Sequence, residues 1–208
     1  MIHDVFPVRI YKEQTNLTNL QKNAMRDYLL AEFSHIEPSN HCLEKGGKSL
    51  FESNSGLHLL EPFQPLVREI ISHIEEFWDI MLFTEGTDPK ITDMWANIHN
   101  KGDETLLHTH SNVITVGCYY LDFPKDAGNL IFKDPNEYTH HYYPYDFEGK
   151  SVYTWKEIEI LENDIVLFPG HLQHRTAPNM SDSRRISINF NVTMVDRQPE
   201  VIFDLNEK

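Results

Sequence analysis

Residues Arg185 to Thr193 alternate without a break, with Arg185, Ser187, Asn189, Asn191 and Thr193 on one side and Ile186, Ile188, Phe190 and Val192 on the other. Successive side chains of a β-strand leave opposite faces, so this run predicts a strand with one apolar face against a core. The opposite face is too polar for a packed interior. Only Arg185 on it is charged, which is too little for an ordinary solvated surface. A strand of this kind is expected to line a wet cavity.

The period of two begins near residue 90. Ile91 to His99 reads as a strand with Trp95, Asn97 and His99 on one face, and Asn100-Lys101-Gly102-Asp103 as a turn. Further strands fit about 105–110, 113–122, 128–133, 139–146, 151–160 and 165–169. Short strands separated by Gly, Pro, Asn and Asp indicate a sandwich or barrel. Before residue 90 the period is mostly helical. A weak strand at about 6–12 precedes Thr18-Asn19-Leu20-Gln21, which has the form of a capping box. A helix over about 17–33 follows, its stripe set by Leu17, Leu20, Ala24, Tyr28 and Ala31. Residues 34–60 read as irregular, broken by Pro38, Gly46, Gly47 and Gly56. Pro65 opens a second helix with Leu66, Ile70, Ile74, Phe77 and Met81 on one face. Such a stripe must be buried, most simply on a sheet.

The 208 residues fit one domain: a helical support region (1–90), a β core (91–194) and a C-terminal tail (195–208). The formal net charge of −14 argues against a nucleic-acid or anionic-membrane partner, since both call for a basic surface. No apolar run is long enough to span a membrane, and the N-terminus lacks the pattern of a secretory signal, so a cytoplasmic location is expected. Two cysteines, Cys42 and Cys118, fit free thiols in a reducing compartment. The oligomeric state is not legible.

His108 and His110 stand two residues apart, and on a strand both rings would project to the same side. His174 lies 64 residues further on, just past the apolar run Ile165-Val166-Leu167-Phe168. Three convergent imidazoles suit Fe, Zn, Cu or Ni. His171 competes with His174 and ranks below it. His140 and His141 are neighbours, so they would face opposite ways. The aromatic stretch Tyr138 to Phe147 that holds them reads as a substrate rim or an edge strand.

The order His-x-His, distal His, ten residues and Arg-x-Ser resembles the jelly-roll 2-oxoglutarate and Fe(II)-dependent oxygenases, in particular a group known from bacteria and phages. The pieces that carry the resemblance include Trp95-Ala96-Asn97, His108-Thr109-His110-Ser111-Asn112 and Gly117-Cys118-Tyr119-Tyr120-Leu121. They continue with Gly128-Asn129-Leu130-Ile131-Phe132, Leu167-Phe168-Pro169, His174 and Arg185-Ile186-Ser187-Ile188-Asn189-Phe190-Asn191. The resemblance implies a double-stranded β-helix, mainly β, with the two N-terminal helices packed on one sheet. It implies Fe(II) held by His108, His110 and His174. It also implies 2-oxoglutarate held by Arg185 and Ser187; Asn97 and Tyr119, on facing strands, are candidates for further contacts or for structural packing. The activity implied is hydroxylation of a small-molecule or peptidyl substrate, such as a prolyl side chain, with release of succinate and CO2. In a phage-encoded protein the location would be the host cytoplasm.

One departure stands out. The superfamily places Asp or Glu two residues after the first histidine, where this chain has His110. Either His108 and His110 both ligate, or His110 starts the motif and Asn112 replaces the carboxylate. The first register is preferred, because Asn is the poorer ligand and residues 111–113 are needed for a turn. Two other classes remain open: a cupin-like metal-dependent dioxygenase or isomerase without 2-oxoglutarate, and a non-enzymatic β-sandwich binding protein. Arg185-x-Ser187 speaks against the first, and the spacing of the three histidines against the second.

Overall fold

A computed structural model of the chain describes residues 7–38, 44–81, 86–136 and 154–197. The expected strand at 139–146, the aromatic stretch with His140 and His141, and Cys42 lie outside the described residues.

Eleven strands and two α-helices form the described fold: β1 (Tyr11–Gln14), α1 (Asn19–Phe33), β2 (Glu44–Lys45), β3 (Lys48–Ser49), α2 (Gln64–Met81), β4 (Thr87–His99), β5 (Glu104–Thr105), β6 (Thr115–Asp122), β7 (Leu130–Lys133), β8 (Trp155–Ile158), β9 (Asp164–Pro169), β10 (His174–Thr176) and β11 (Arg185–Asp196). Six strands make the larger sheet, in the order β1-β9-β6-β11-β4-β3. A smaller sheet runs β10-β7-β8, and β2 pairs with β5. All these ladders are antiparallel. This is the expected jelly roll, mainly β, with both helices packed against the larger sheet. Two of the sheet's strands, β1 and β3, come from the region read as helical support. The stretch read as irregular supplies β2 and β3, which are too short to show a period.

The two cores follow from strand alternation. The outer face of the larger sheet meets the helices through Tyr119 and Leu121 of β6, Ile165 and Leu167 of β9, and Ile186, Ile188, Phe190 and Val192 of β11. Its inner face meets the smaller sheet through Val116, Cys118, Tyr120, Val166 and Phe168, which pack with Leu130 and Phe132. Helix α2 buries Leu66, Ile70, Ile74 and Phe77 of the predicted stripe together with Trp78, while Met81 is partly buried. Helix α1 opens on the predicted capping box, with Thr18 Oγ1 accepting from the Gln21 amide at 3.3 Å and Gln21 Oε1 accepting from the Thr18 amide at 2.8 Å. Its buried face differs from expectation. Met25, Leu29 and Phe33 are inside, while Leu20 is 81% exposed. Two apolar stripes compete on this helix, and the one with the larger side chains removes more area from water.

The centre of the larger sheet is tight. At Gly117 a Cβ would sit 2.0 Å from Cζ of Phe190, so the Phe190 ring lies where any side chain would be. Among the described residues, no helix is long and apolar enough to cross a membrane.

Candidate metal centre and its cavity

The three histidines come together, but not as one strand presenting alternate residues. The predicted strand at 105–110 ends at Thr105. His108 instead forms an isolated antiparallel bridge with His174, each amide donating to the other's carbonyl at 3.0 Å. The His110 amide then donates to the Gly170 carbonyl at 2.9 Å. Gly170 permits this, because a Cβ there would come within 2.4 Å of the Val113 carbonyl oxygen. Backbone pairing across the sandwich mouth thus places the rings. The ring centroids are 4.3 Å apart for His108 and His174, 5.1 Å for His108 and His110, and 5.3 Å for His110 and His174.

The hydrogen bonds decide which nitrogen of each ring faces inward. His108 Nδ1 is 2.8 Å from the Leu106 carbonyl, His174 Nδ1 is 2.9 Å from the Leu172 carbonyl, and His110 Nδ1 is 2.7 Å from Asn191 Oδ1. Each partner is an acceptor, so each Nδ1 carries the proton and each Nε2 keeps a lone pair. The Nε2 atoms of His108 and His110 are 3.2 Å apart. One ligand atom from each ring lies within 4.8 Å of the others. Lone pairs aimed at one another repel unless a cation sits among them. A ring whose other nitrogen is anchored by an oxygen is the usual state of a metal-ligating histidine. The trio therefore fits a metal ion by its donor chemistry. Asn112, the alternative second ligand, sits in a turn at φ 60° with its side chain exposed.

The surroundings keep His110 and His174 neutral and still. Burial pushes His174 down to about 3, reinforced by repulsion from His108. Burial pushes His110 down to about 4, against the opposing hydrogen bond to Asn191. Phe168 meets the His174 ring edge-on at 4.6 Å, and Trp95 stacks on His110 at 6.0 Å.

A cavity of about 260 Å³ opens beside the imidazoles, near the lower end for small-molecule sites. Ser187, Asn189 and Asn191 line it, as the polar face of β11 predicted. Asn97 lines it too, its Oδ1 accepting from Ser49 Oγ at 2.7 Å. Arg185 is fully buried and is not among the lining residues. Its Nη1 donates to the carbonyls of Ala127 (2.6 Å), Gly128 (2.8 Å) and Ala177 (3.2 Å), and its Nη2 to Thr176 Oγ1 (3.0 Å). Thr176 does line the cavity, so the guanidinium stands one hydroxyl behind the wall.

Tyr119 is a correction. Its hydroxyl donates to Asn163 Oδ1 at 2.9 Å on the helix side of the sheet. Its neighbour Tyr120 lines the cavity instead. Ser187 pairs with Tyr120 across the ladder, and paired residues point to the same side. The residues missed from sequence are Tyr120, Cys118, Thr176 and Phe51. Burial pushes the Cys118 thiol up to about 12, which keeps it protonated and unreactive.

Known proteins bear on this geometry. Residues 93–191 match the family model described as "Putative 2OG-Fe(II) oxygenase". No curated protein matches the sequence. Among solved structures, the chain is similar to a non-heme alpha ketoglutarate dependent epimerase, SnoN, from nogalamycin biosynthesis, at 12% identity and TM-score 0.64, covering 94% of this chain and 84% of that one. It is also similar to AviO1 from Streptomyces viridochromogenes Tue57, at 14% identity and TM-score 0.61, covering 92% of each. A third is a prolyl hydroxylase from Trichoplax adhaerens in complex with a hypoxia inducible factor peptide fragment, at 13% identity and TM-score 0.60, covering 88% of this chain and 82% of that one. At such identities these structures speak for the fold. Residues 93–191, just under half of the chain, are thus similar to the 2-oxoglutarate/Fe(II)-dependent oxygenases, a family of oxidoreductases.

Proposed function

We propose that the chain uses Fe(II) and 2-oxoglutarate to hydroxylate a substrate C–H bond. The balance is substrate-H plus O2 plus 2-oxoglutarate giving substrate-OH, succinate and CO2. The observation that carries this reading is the convergence of the three rings, every Nδ1 committed to an oxygen and one nitrogen of each ring within 4.8 Å of the others. In this reading His108, His110 and His174 hold the ion. The bound ferrous ion supplies the activation of dioxygen that a protein side chain cannot provide.

The remaining roles fall to the chain's own groups. Arg185 pairs with the far carboxylate of 2-oxoglutarate, the charge-assisted contact a guanidinium makes best. Ser187, Thr176 and Tyr120 add hydroxyls around it, and Asn97 an amide. Three neutral imidazoles leave the full double charge of the ion, which the dianionic cosubstrate balances. Trp95 and Phe51, with ring centroids 4.9 Å apart, form an apolar wall that keeps water from the reacting groups. The substrate approaches over that wall. A prolyl or other peptidyl side chain is the class to test first, and a small molecule the second.

Freshly purified protein should retain iron and release succinate slowly from 2-oxoglutarate under air without added substrate. Arg185→Lys should retain the metal and lose most of that turnover. Protein with neither metal nor succinate release would sink the reading. Metal without 2-oxoglutarate binding would move the chain to the cupin-like class.

A further inference from the structure

Two of the three imidazoles donate to backbone carbonyls two residues upstream in the chain, Leu106 for His108 and Leu172 for His174. The Nδ1 of His110 uses a side chain instead. Its acceptor, Asn191 Oδ1 at 2.7 Å, belongs to an amide whose Nδ2 donates to Asp93 Oδ2 at 3.3 Å. The backbone builds this line of three residues. Asn191 of β11 pairs with Asp93 of β4, and the register then jumps so that Val192 pairs with Ile91. The unpaired Thr92 makes a bulge, and its hydroxyl also donates to Asp93 Oδ2, at 2.9 Å.

We propose that Asp93, acting through Asn191, is a positioning residue that fixes the tautomer of His110 and returns to the metal centre part of the negative charge its three-imidazole ligand set lacks. The inference rests on the reading of His110 as a metal ligand. The chemistry runs in one direction. An ionised carboxylate only accepts hydrogen bonds, so it turns the Asn191 amide nitrogen toward itself. The amide oxygen then faces His110 and accepts from Nδ1–H, and Nε2 is left as the ligating lone pair. The carboxylate missing from the place two residues after His108 thus stands behind the second histidine, with one amide between. An outer partner of this kind raises the basicity of the ligand and holds its ring in place.

The test uses the full chain, with Co(II) alone as the probe for affinity. Nitrogen NMR of the imidazoles in metal-free protein reads the tautomer, and the iron-loaded protein gives the Fe(III)/Fe(II) midpoint potential. Asp93→Asn keeps the shape and removes the charge. It should bind Co(II) several-fold more weakly, raise the potential and let His110 populate both tautomers. Asn191→Leu should weaken Co(II) binding by roughly 10- to 100-fold. Asn191→Asp puts a carboxylate directly on Nδ1–H and should bind at least as tightly as the parent. The proposal is overturned if Asp93→Asn leaves affinity, potential and tautomer unchanged, or if Asn191→Asp is as weak as Asn191→Leu. A parent protein that fails to bind Co(II) would instead overturn the metal reading, while the tautomer measurement would still judge Asp93. Should Asn191→Leu fail to fold, the near-isosteric Asp93→Asn decides the matter.

Discussion

Acid should unfold the metal-free protein by a route that passes through His174. In the folded chain this ring is 4% exposed and is held down to about 3, first by burial and then by repulsion from His108, against an ordinary value of 6.5. Above pH 6.5 the ring is neutral whether the chain is folded or not, and it contributes no pH dependence. Below 6.5 the unfolded chain takes up the proton and the folded one does not, so stability falls as pH falls, down to about 3. At pH 5 the unfolded ring is about 1.5 pH units below its own value, which costs about 2 kcal/mol at 1.36 kcal/mol per unit. His110, held down to about 4, adds a loss of the same sign. Urea unfolding with chelator present, followed by tryptophan fluorescence at pH 7.5 and pH 5, measures the sum. The variant His174→Leu removes one titrating ring while keeping an apolar side chain in the space. Its loss between the two pH values should be smaller than the parent's by about 2 kcal/mol. Other acid-sensitive groups cancel in that difference. Equal losses in parent and variant would refute the argument that burial holds this ring neutral.

Other expectations follow from the packing. Gly117→Ala pushes a methyl into the Phe190 ring and should cost roughly 1–3 kcal/mol in a urea melt without changing metal content. Tyr119→Phe loses the hydrogen bond to Asn163 and should cost about 1 kcal/mol with 2-oxoglutarate binding intact, whereas Tyr120→Phe should weaken 2-oxoglutarate binding in a calorimetric titration. Asn163 holds φ 76°, accepts from Thr15 Oγ1 at 2.8 Å and donates to the Thr15 carbonyl at 2.6 Å; Asn163→Ala should lower the melting temperature markedly by loosening β1 from β9. Divalent metal at 100 times its dissociation constant should stabilise the parent by about 2.7 kcal/mol, and His108→Leu should abolish the gain.

The elements easiest to read from sequence were those with one face in a core and the other outside it. Strand β11 shows its period because Ile186, Ile188, Phe190 and Val192 are buried while Ser187, Asn189 and Asn191 border a cavity. Helix α2 shows its stripe for the same reason. Strand β6 is buried on both faces through Leu121, so its apolar pattern carries no phase and does not separate Tyr119 from its neighbour Tyr120. Only its pairing with Ser187 reveals which tyrosine faces inward. The histidines were legible as a set, but the strand reasoning that joined His108 to His110 was not how they meet. Their convergence depends on the bridge between His108 and His174, a contact between distant segments that no local spacing encodes. The line from His110 to Asp93 was hidden for a similar reason, since it depends on the pairing of Asn191 with Asp93 across β11 and β4.

The buried guanidinium of Arg185 changes how an anion would arrive at the inner end of the cavity. Its Nη1 offers two hydrogens to the carbonyls of Ala127, Gly128 and Ala177, so it already serves as a clasp between the segment before β7 and the segment after β10. A carboxylate reaching this group enters by exchange, taking hydrogen bonds that the chain holds for itself. The carbonyls it displaces must find water or new donors. Occupancy of the cavity and order in those two segments are therefore linked quantities, and amide hydrogen exchange at residues 127–129, Ala177 and Asn179 should report ligand binding from a place the ligand does not touch.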